Sequence, residues 1–164
     1  MKLEHKVIPR EFLEKLPRGL KYEIKSGKDF LIVEQLYCPN GHSLMVDNVR
    51  MHNEASIRLQ VKIGSETGYI YVDAFWGSHD KLYSFIPSSN EIDAPGNDVQ
   101  CPSCACSLLV ENETPCRKCK SLKSIVMNLP GSYNKITVCA RLGCPEHHLV
   151  LRGLDPQISE MVSD

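Results

Sequence analysis

The chain has no long apolar run. FLIV at residues 30–33 is the longest such stretch in its N-terminal part, far short of a bilayer span, and the opening MKLEHKVIPREF is charged where a secretory leader needs an apolar core. The expectation is a cytoplasmic protein with no membrane partner. A dominant charge is also missing: nineteen Lys and Arg stand against twenty Asp and Glu, for a net charge of −1. The whole molecule therefore offers no strong field to draw it onto nucleic acid, which leaves only local basic patches for such a role. Low-complexity tracts are absent. At 164 residues with 42% apolar and 24% charged residues, the chain is long enough to bury a core of its own and is not of a disordered composition.

Cysteine, by contrast, is plentiful. Eight cysteines stand at positions 38, 101, 104, 106, 116, 119, 139 and 144, clustered with histidine. Without a leader, and with this spacing, they read as reduced thiols that bind metal rather than as a disulfide framework. The most specific signal is a pair of Cys-x2-Cys turns, CPSC at 101–104 and CRKC at 116–119, separated by eleven residues. Such a turn brings two sulfurs to one edge of a tetrahedron, and two turns facing each other complete four-thiolate coordination. The intervening LLV followed by ENETP reads as a short strand and a returning turn.

With the following strand KSIVMNL, residues 99–127 resemble a rubredoxin-like zinc ribbon. The resemblance implies a zinc ion held by Cys101, Cys104, Cys116 and Cys119. Many ribbons carry glycine directly after the second cysteine of each turn; here Ala105 and Lys120 occupy those places. An iron–sulfur cluster uses the same four thiolates, and colour separates the two metals. CPSC alone also has the spacing of a thioredoxin-like redox pair, a reading that leaves the second turn unexplained. Cys106, two residues beyond Cys104, reads either as a spare ligand or as a small buried side chain on a strand.

A second motif opens with Cys-Pro twice. CPNGH at 38–42 and CPEHH at 144–148 share Cys-x3-His spacing, so Cys38, His42, Cys144 and His148 form a candidate site of two cysteines and two histidines for a second zinc. His147 and Cys139 are rivals for its fourth position. If the histidines stay free, the fourth position is open to water, and Glu146 stands beside it as a candidate base for a zinc hydrolase or metal-handling protein. His52 and His79 sit beside turn-like segments and receive no role; Asp73 and Asp80 are able to approach each other across a hairpin.

Elsewhere the pattern is that of strands. SIRLQVKIG places Ile57, Leu59, Val61 and Ile63 at every second position, the period of a half-buried strand. FLIVEQLY, that strand, GYIYVDAFWG and KLYSFIP form an expected antiparallel meander of about four strands. PREFLEKL predicts a short N-terminal helix limited by Pro17. The fold class expected is mainly β, with residues 1–98 plus 128–164 as a β-rich core domain and 99–127 as an inserted ribbon module.

Two functional classes follow. Closed sites point to a zinc-stabilised interaction protein with no catalytic residues, whose partner is a protein; its variant is nucleic-acid binding through Arg117, Lys118, Lys120 and Lys123 of RKCKSLK. The rival class is the open-site zinc enzyme.

Overall fold

The computed structural model describes residue 8, residues 10–76, residue 78, residues 80–89, 91–131 and 133–144, and the backbone of residues 147–150. It is mainly β, as the alternation in the sequence requires, with antiparallel pairing throughout its three sheets.

Among the described residues one helix, α1 (Arg10–Glu14), stands before the strands, shorter than the PREFLEKL pattern, and seats Phe12 fully in the core. A hairpin follows, β1 (Leu20–Lys25) and β2 (Lys28–Val33), turned by Ser26 and Gly27 at φ 52° and 75°. Left-handed backbone at both central residues is the form whose twist matches that of paired strands. The FLIV segment thus pairs with β1 in a sheet of its own, not as the first strand of the meander. Its far end is tied on by Val33 N–H donating to the Ala74 carbonyl and Trp76 N–H donating to that of Leu31.

The meander itself is β3 (Met45–Met51), β4 (Glu54–Ile63), β5 (Glu66–Val72) and β6 (Lys81–Tyr83), in that order across the sheet. The place expected for FLIVEQLY is taken by β3, which the sequence pattern does not mark because its residues are mostly half-buried or exposed. Strand β7 (Asp98–Gln100) joins the same sheet by pairing with Gln60–Lys62, so β3 and β7 share one edge of β4, each along half of its length. The third sheet has the order β11-β10-β9-β8: β8 (Leu109–Glu111), β9 (Lys123–Asn128), β10 (Lys135–Cys139) and β11 (His147–Val150).

The alternating residues of β4 point into the core, with Ile57, Leu59, Val61 and Ile63 at 4%, 1%, 0% and 3% exposure. Ile70 of β5, Ile125 and Met127 of β9 and Ile136 of β10 are buried with them, and with Ile57 and Leu59 they line a cavity of about 80 Å³ between the two larger sheets. No helix among the described residues is long and apolar enough to cross a membrane.

Because Leu59 is buried at 1% exposure beside the cavity, Leu59→Ala should lower unfolding stability by about 2–5 kcal/mol. Urea denaturation followed by tryptophan fluorescence measures it, and a loss below about 1 kcal/mol would place Leu59 outside the core.

Candidate metal centres

Each cysteine turn is shaped by its own backbone. At the first, Gly41 N–H donates to the Cys38 carbonyl at 2.9 Å and Cys38 N–H to that of His42 at 2.9 Å. Gly41 turns the chain at φ 85°, a conformation glycine adopts without cost. At the two Cys-x2-Cys turns the same job falls on the residues that stand where ribbons often have glycine. Ala105 and Lys120 are left-handed at φ 59° and 66°, and their N–H groups donate to the carbonyls of Cys101 and Cys116 at 2.8 and 2.9 Å.

The sheets decide which turns meet. Cys101 directly follows β7, and Leu108, just beyond its turn, accepts a bond from Val126 N–H of β9. Tyr37, just before Cys38, exchanges both backbone bonds with Asn128, two residues along the same strand. The two turns are therefore neighbours, and Cys38, His42, Cys101 and Cys104 place their donor atoms within 4.8 Å of one another. At the other end of β9, Ser124 is paired with Cys139 of β10, and Ala140 N–H donates to the Lys123 carbonyl. This register sets Cys139 and Cys144 against the 116–119 turn, and Cys116, Cys119, Cys139 and Cys144 likewise lie within 4.8 Å of one another.

The partition differs from the one read from spacing. Cys101 and Cys104 gather with Cys38 and His42 and not with Cys116 and Cys119; Cys144 gathers with the latter pair and with Cys139, the rival ligand of the sequence reading. The reason is topological: β8 and β9 carry the two Cys-x2-Cys turns to opposite ends of the sheet, a separation that sequence distance conceals. The side chains of His147 and His148 lie outside the described residues, as do Glu146 and His79; the His148 backbone is in β11, opposite Thr137.

Of four donor separations, three match the edges of a tetrahedral site, and the fourth, between Cys119 and Cys139, is shorter. With metal–sulfur bonds of about 2.3 Å and metal–nitrogen bonds of about 2.0–2.1 Å, a tetrahedron has sulfur–sulfur edges of about 3.8 Å and sulfur–nitrogen edges of about 3.6 Å. Cys38 Sγ is 3.6 Å from His42 Nδ1 and 3.8 Å from Cys104 Sγ; Cys116 and Cys144 are 3.8 Å apart, and Cys119 and Cys139 3.2 Å. Thiolate with imidazole, or thiolate alone, is the soft donor chemistry that selects zinc or iron over magnesium and calcium.

The backbone also favours thiolates. The Cys106 N–H, followed by the Asn40 amide and the Cys106 thiol, draws Cys104 down to about 6. Burial pushes Cys116 up, but backbone N–H groups of Cys119 and Lys118 outweigh it and bring the thiol down to about 7. At Cys38, burial is likewise overcome by bonds from the backbone and ring of His42, leaving it below the ordinary thiol range. Hydrogen bonds to Cys38 and Cys104 raise His42 in turn. Burial raises Cys101 and, strongly, Cys139. Such groups exchange protons for a metal ion, so binding couples to folding.

A third group was not legible as such in the sequence. His52, at the left-handed turn between β3 and β4, donates Nδ1–H to Asp73 Oδ2 at 2.6 Å, and its Nε2 lies 3.8 Å from Asp80. Asp73 is buried and also accepts from Ser78 Oγ and Phe75 N–H. These three donors hold its carboxylate, so the arrangement is a clamp between the β3–β4 turn and the segment after β5. The approach of Asp73 to Asp80 is real, but it is the histidine between them that makes the group.

No family model matches the chain, and neither curated proteins nor solved structures give a match.

The partition makes a direct expectation. Cys101→Ser and Cys116→Ser combined should remove two bound ions, because they strike different centres, whereas Cys101→Ser with Cys38→Ser should remove one. Elemental analysis of the two double variants decides it; loss of a single ion from the first variant would restore the pairing read from spacing. At Lys120, substitution by glycine should relieve a left-handed side chain and raise stability by about 0.5–1 kcal/mol after the entropy of a freer unfolded chain is subtracted. A lowered unfolding temperature in Lys120→Gly would show that the side chain contributes more than its backbone costs.

Proposed function

We propose that the protein is a zinc-stabilised interaction protein with two structural zinc ions. One is held by three thiolates and an imidazole, from Cys38, Cys101, Cys104 and His42, and the other by the four thiolates of Cys116, Cys119, Cys139 and Cys144. The observation that carries this reading is the gathering of two four-donor sets, each with its donor atoms within 4.8 Å of one another. Four protein donors leave no coordination position for a water to be activated, the usual condition of a structural zinc and the opposite of a catalytic one. The zinc ions then act as staples: the first ties the segment after β2 to the start of the 99–127 ribbon, and the second ties the ribbon's outer turn to the end of β10.

A protein partner is supported by the edge of the meander. Strand β6 is the outermost strand of its sheet, and Leu82, Tyr83 and Ile86 in and just after it are 45%, 42% and 91% exposed. An open edge with apolar side chains is a surface to which an extended segment adds a strand. The competing reading has its own observation: Arg117, Lys118 and Lys120 are exposed together around the turn of the second centre, with Lys123 half-buried at the start of β9. Nucleic acid bound there would respond to salt.

Purified protein should contain close to two zinc ions per chain and be colourless. An iron chromophore would overturn the zinc assignment, and zinc-dependent turnover in a broad esterase and phosphatase panel would overturn the interaction reading. Titration with single- and double-stranded oligonucleotides across a range of salt should show no tight binding. Tight binding that weakens steeply with salt, and on neutralising Arg117, Lys118, Lys120 and Lys123, would replace the protein partner by nucleic acid.

A further inference from the structure

Seven of the eight cysteines belong to the two four-donor sets, and Cys106 belongs to neither. Its sulfur nevertheless lies 3.3 Å from that of Cys104, nearer than any other ligand-to-neighbour sulfur contact of the first centre described above. The reason is local. The left-handed turn at Ala105 folds the chain between these two, with Cys101 N–H fastened to the Cys106 carbonyl at 3.0 Å. The pair is also on the accessible side of the centre: Cys38 and Cys101 are 1% and 0% exposed, whereas Cys104 and Cys106 are both half-buried.

We propose that Cys104 and Cys106 form a redox pair in which Cys106 is the resolving thiol, so that a peroxide converts the first metal centre from a closed site to one that releases its ion. The inference rests on the reading of Cys38, His42, Cys101 and Cys104 as a metal centre. The oxidant is hydrogen peroxide or an organic hydroperoxide. The Cys104 thiolate attacks one peroxide oxygen; a sulfur–oxygen bond forms, the oxygen–oxygen bond breaks, and hydroxide or alkoxide leaves. Cys106 then attacks the sulfenic sulfur; a sulfur–sulfur bond forms, the sulfur–oxygen bond breaks, and the departing hydroxyl leaves with the Cys106 proton as water. Two thiols lose two electrons and one peroxide gains them. Cys104 no longer offers a thiolate, and Cys38, His42 and Cys101 remain as three donors. A neighbouring thiol also keeps the reaction reversible, since a sulfenic acid captured as a disulfide escapes further oxidation to sulfinic acid.

The second centre provides an internal control. Cys119 and Cys139 are 3.2 Å apart, but both are its ligands, so no spare thiol stands beside it to resolve a sulfenic acid without drawing on the coordination sphere.

The test compares the zinc-loaded full chain with its Cys106→Ser variant, which keeps every donor of both centres. Both are treated with hydrogen peroxide while a chromophoric chelator reports released zinc, and alkylation followed by peptide mass mapping locates any disulfide. The wild-type protein should release one of its two ions, carry a Cys104–Cys106 disulfide, and recover the ion when thiol reductant and zinc are added. Cys106→Ser should lose the ion as well but fail to recover it, its Cys104 having passed to sulfinic acid. Equal recovery in the two proteins, or a disulfide between other cysteines, would overturn the proposal. Failure of the metal reading is separately visible: untreated Cys101→Ser would then hold as much zinc as the wild type, and the mass map alone would decide whether the two thiols form a pair.

Discussion

The register of strand β9 is the constraint on which both metal centres depend. Val126 and Asn128, two residues apart near its end, fasten the segments that lead to Cys101 and Cys38, while Lys123 and Ser124 at its start fasten Ala140 and Cys139. Six residues of one strand therefore position ligands at both of its ends. A slip of one residue would turn Ile125 and Met127 out of the core and carry each set of partners past the other. Apolar burial sets the register, and the register brings the thiols together. Metal ions would then contribute by closing the chain between residues 42 and 101 and between 119 and 139, segments that are otherwise held only by sheet pairing and packing.

The two centres differ in charge and in surroundings. Loaded with a divalent ion, three thiolates and an imidazole leave one excess negative charge, and four thiolates leave two. The second centre has cations to match. Arg141, between two of its ligands in sequence, donates to the Cys119 carbonyl at 2.9 Å and to Asp93 at 3.3 Å, and Ser121 donates to the same carboxylate. Lys81 of β6 also lies close enough for the Cys144 thiolate to act on its charge, although burial is the larger influence and draws its ammonium below the ordinary range. This small network joins the meander edge to the 116–121 turn. At the first centre the ring of His42 is exposed and the spare thiol Cys106 stands alongside, so the less charged site is also the more open to chemical attack.

Much of the fold could be read from local pattern. The every-second-residue alternation from Ile57 to Ile63 is decided by one periodicity and one core, and the structure buries all four of those side chains. The short helix, the mainly β class and the shape of the cysteine turns are likewise local matters, since hydrogen bonds spanning four residues fix each turn regardless of its partner. The pairing of FLIV with β1 and the insertion of β3 into the meander were less legible, because antiparallel neighbours are chosen by turns and by shared burial rather than by the composition of one strand. Left-handed Ala105 and Lys120 show a related limit: a turn can require a backbone conformation without having the residue that adopts it most easily.

The sequence by itself determined three pairs of donors, Cys38 with His42, Cys101 with Cys104 and Cys116 with Cys119, each on a turn that places both members at one tetrahedral edge, and it left Cys139 as a rival to the histidine beside Cys144. It did not determine which edges face each other. Equal Cys-x3-His spacing suggested joining Cys38 and His42 to Cys144 and His148, and short separation suggested joining 101–104 to 116–119, but neither spacing nor proximity along the chain carries information about opposite ends of a sheet. Only the tertiary structure decided the partners, because a four-donor set closes where two turns lie within a few ångströms in space, and that distance is set by the bonds of Tyr37 and Leu108 to β9 and by the pairing of β9 with β10.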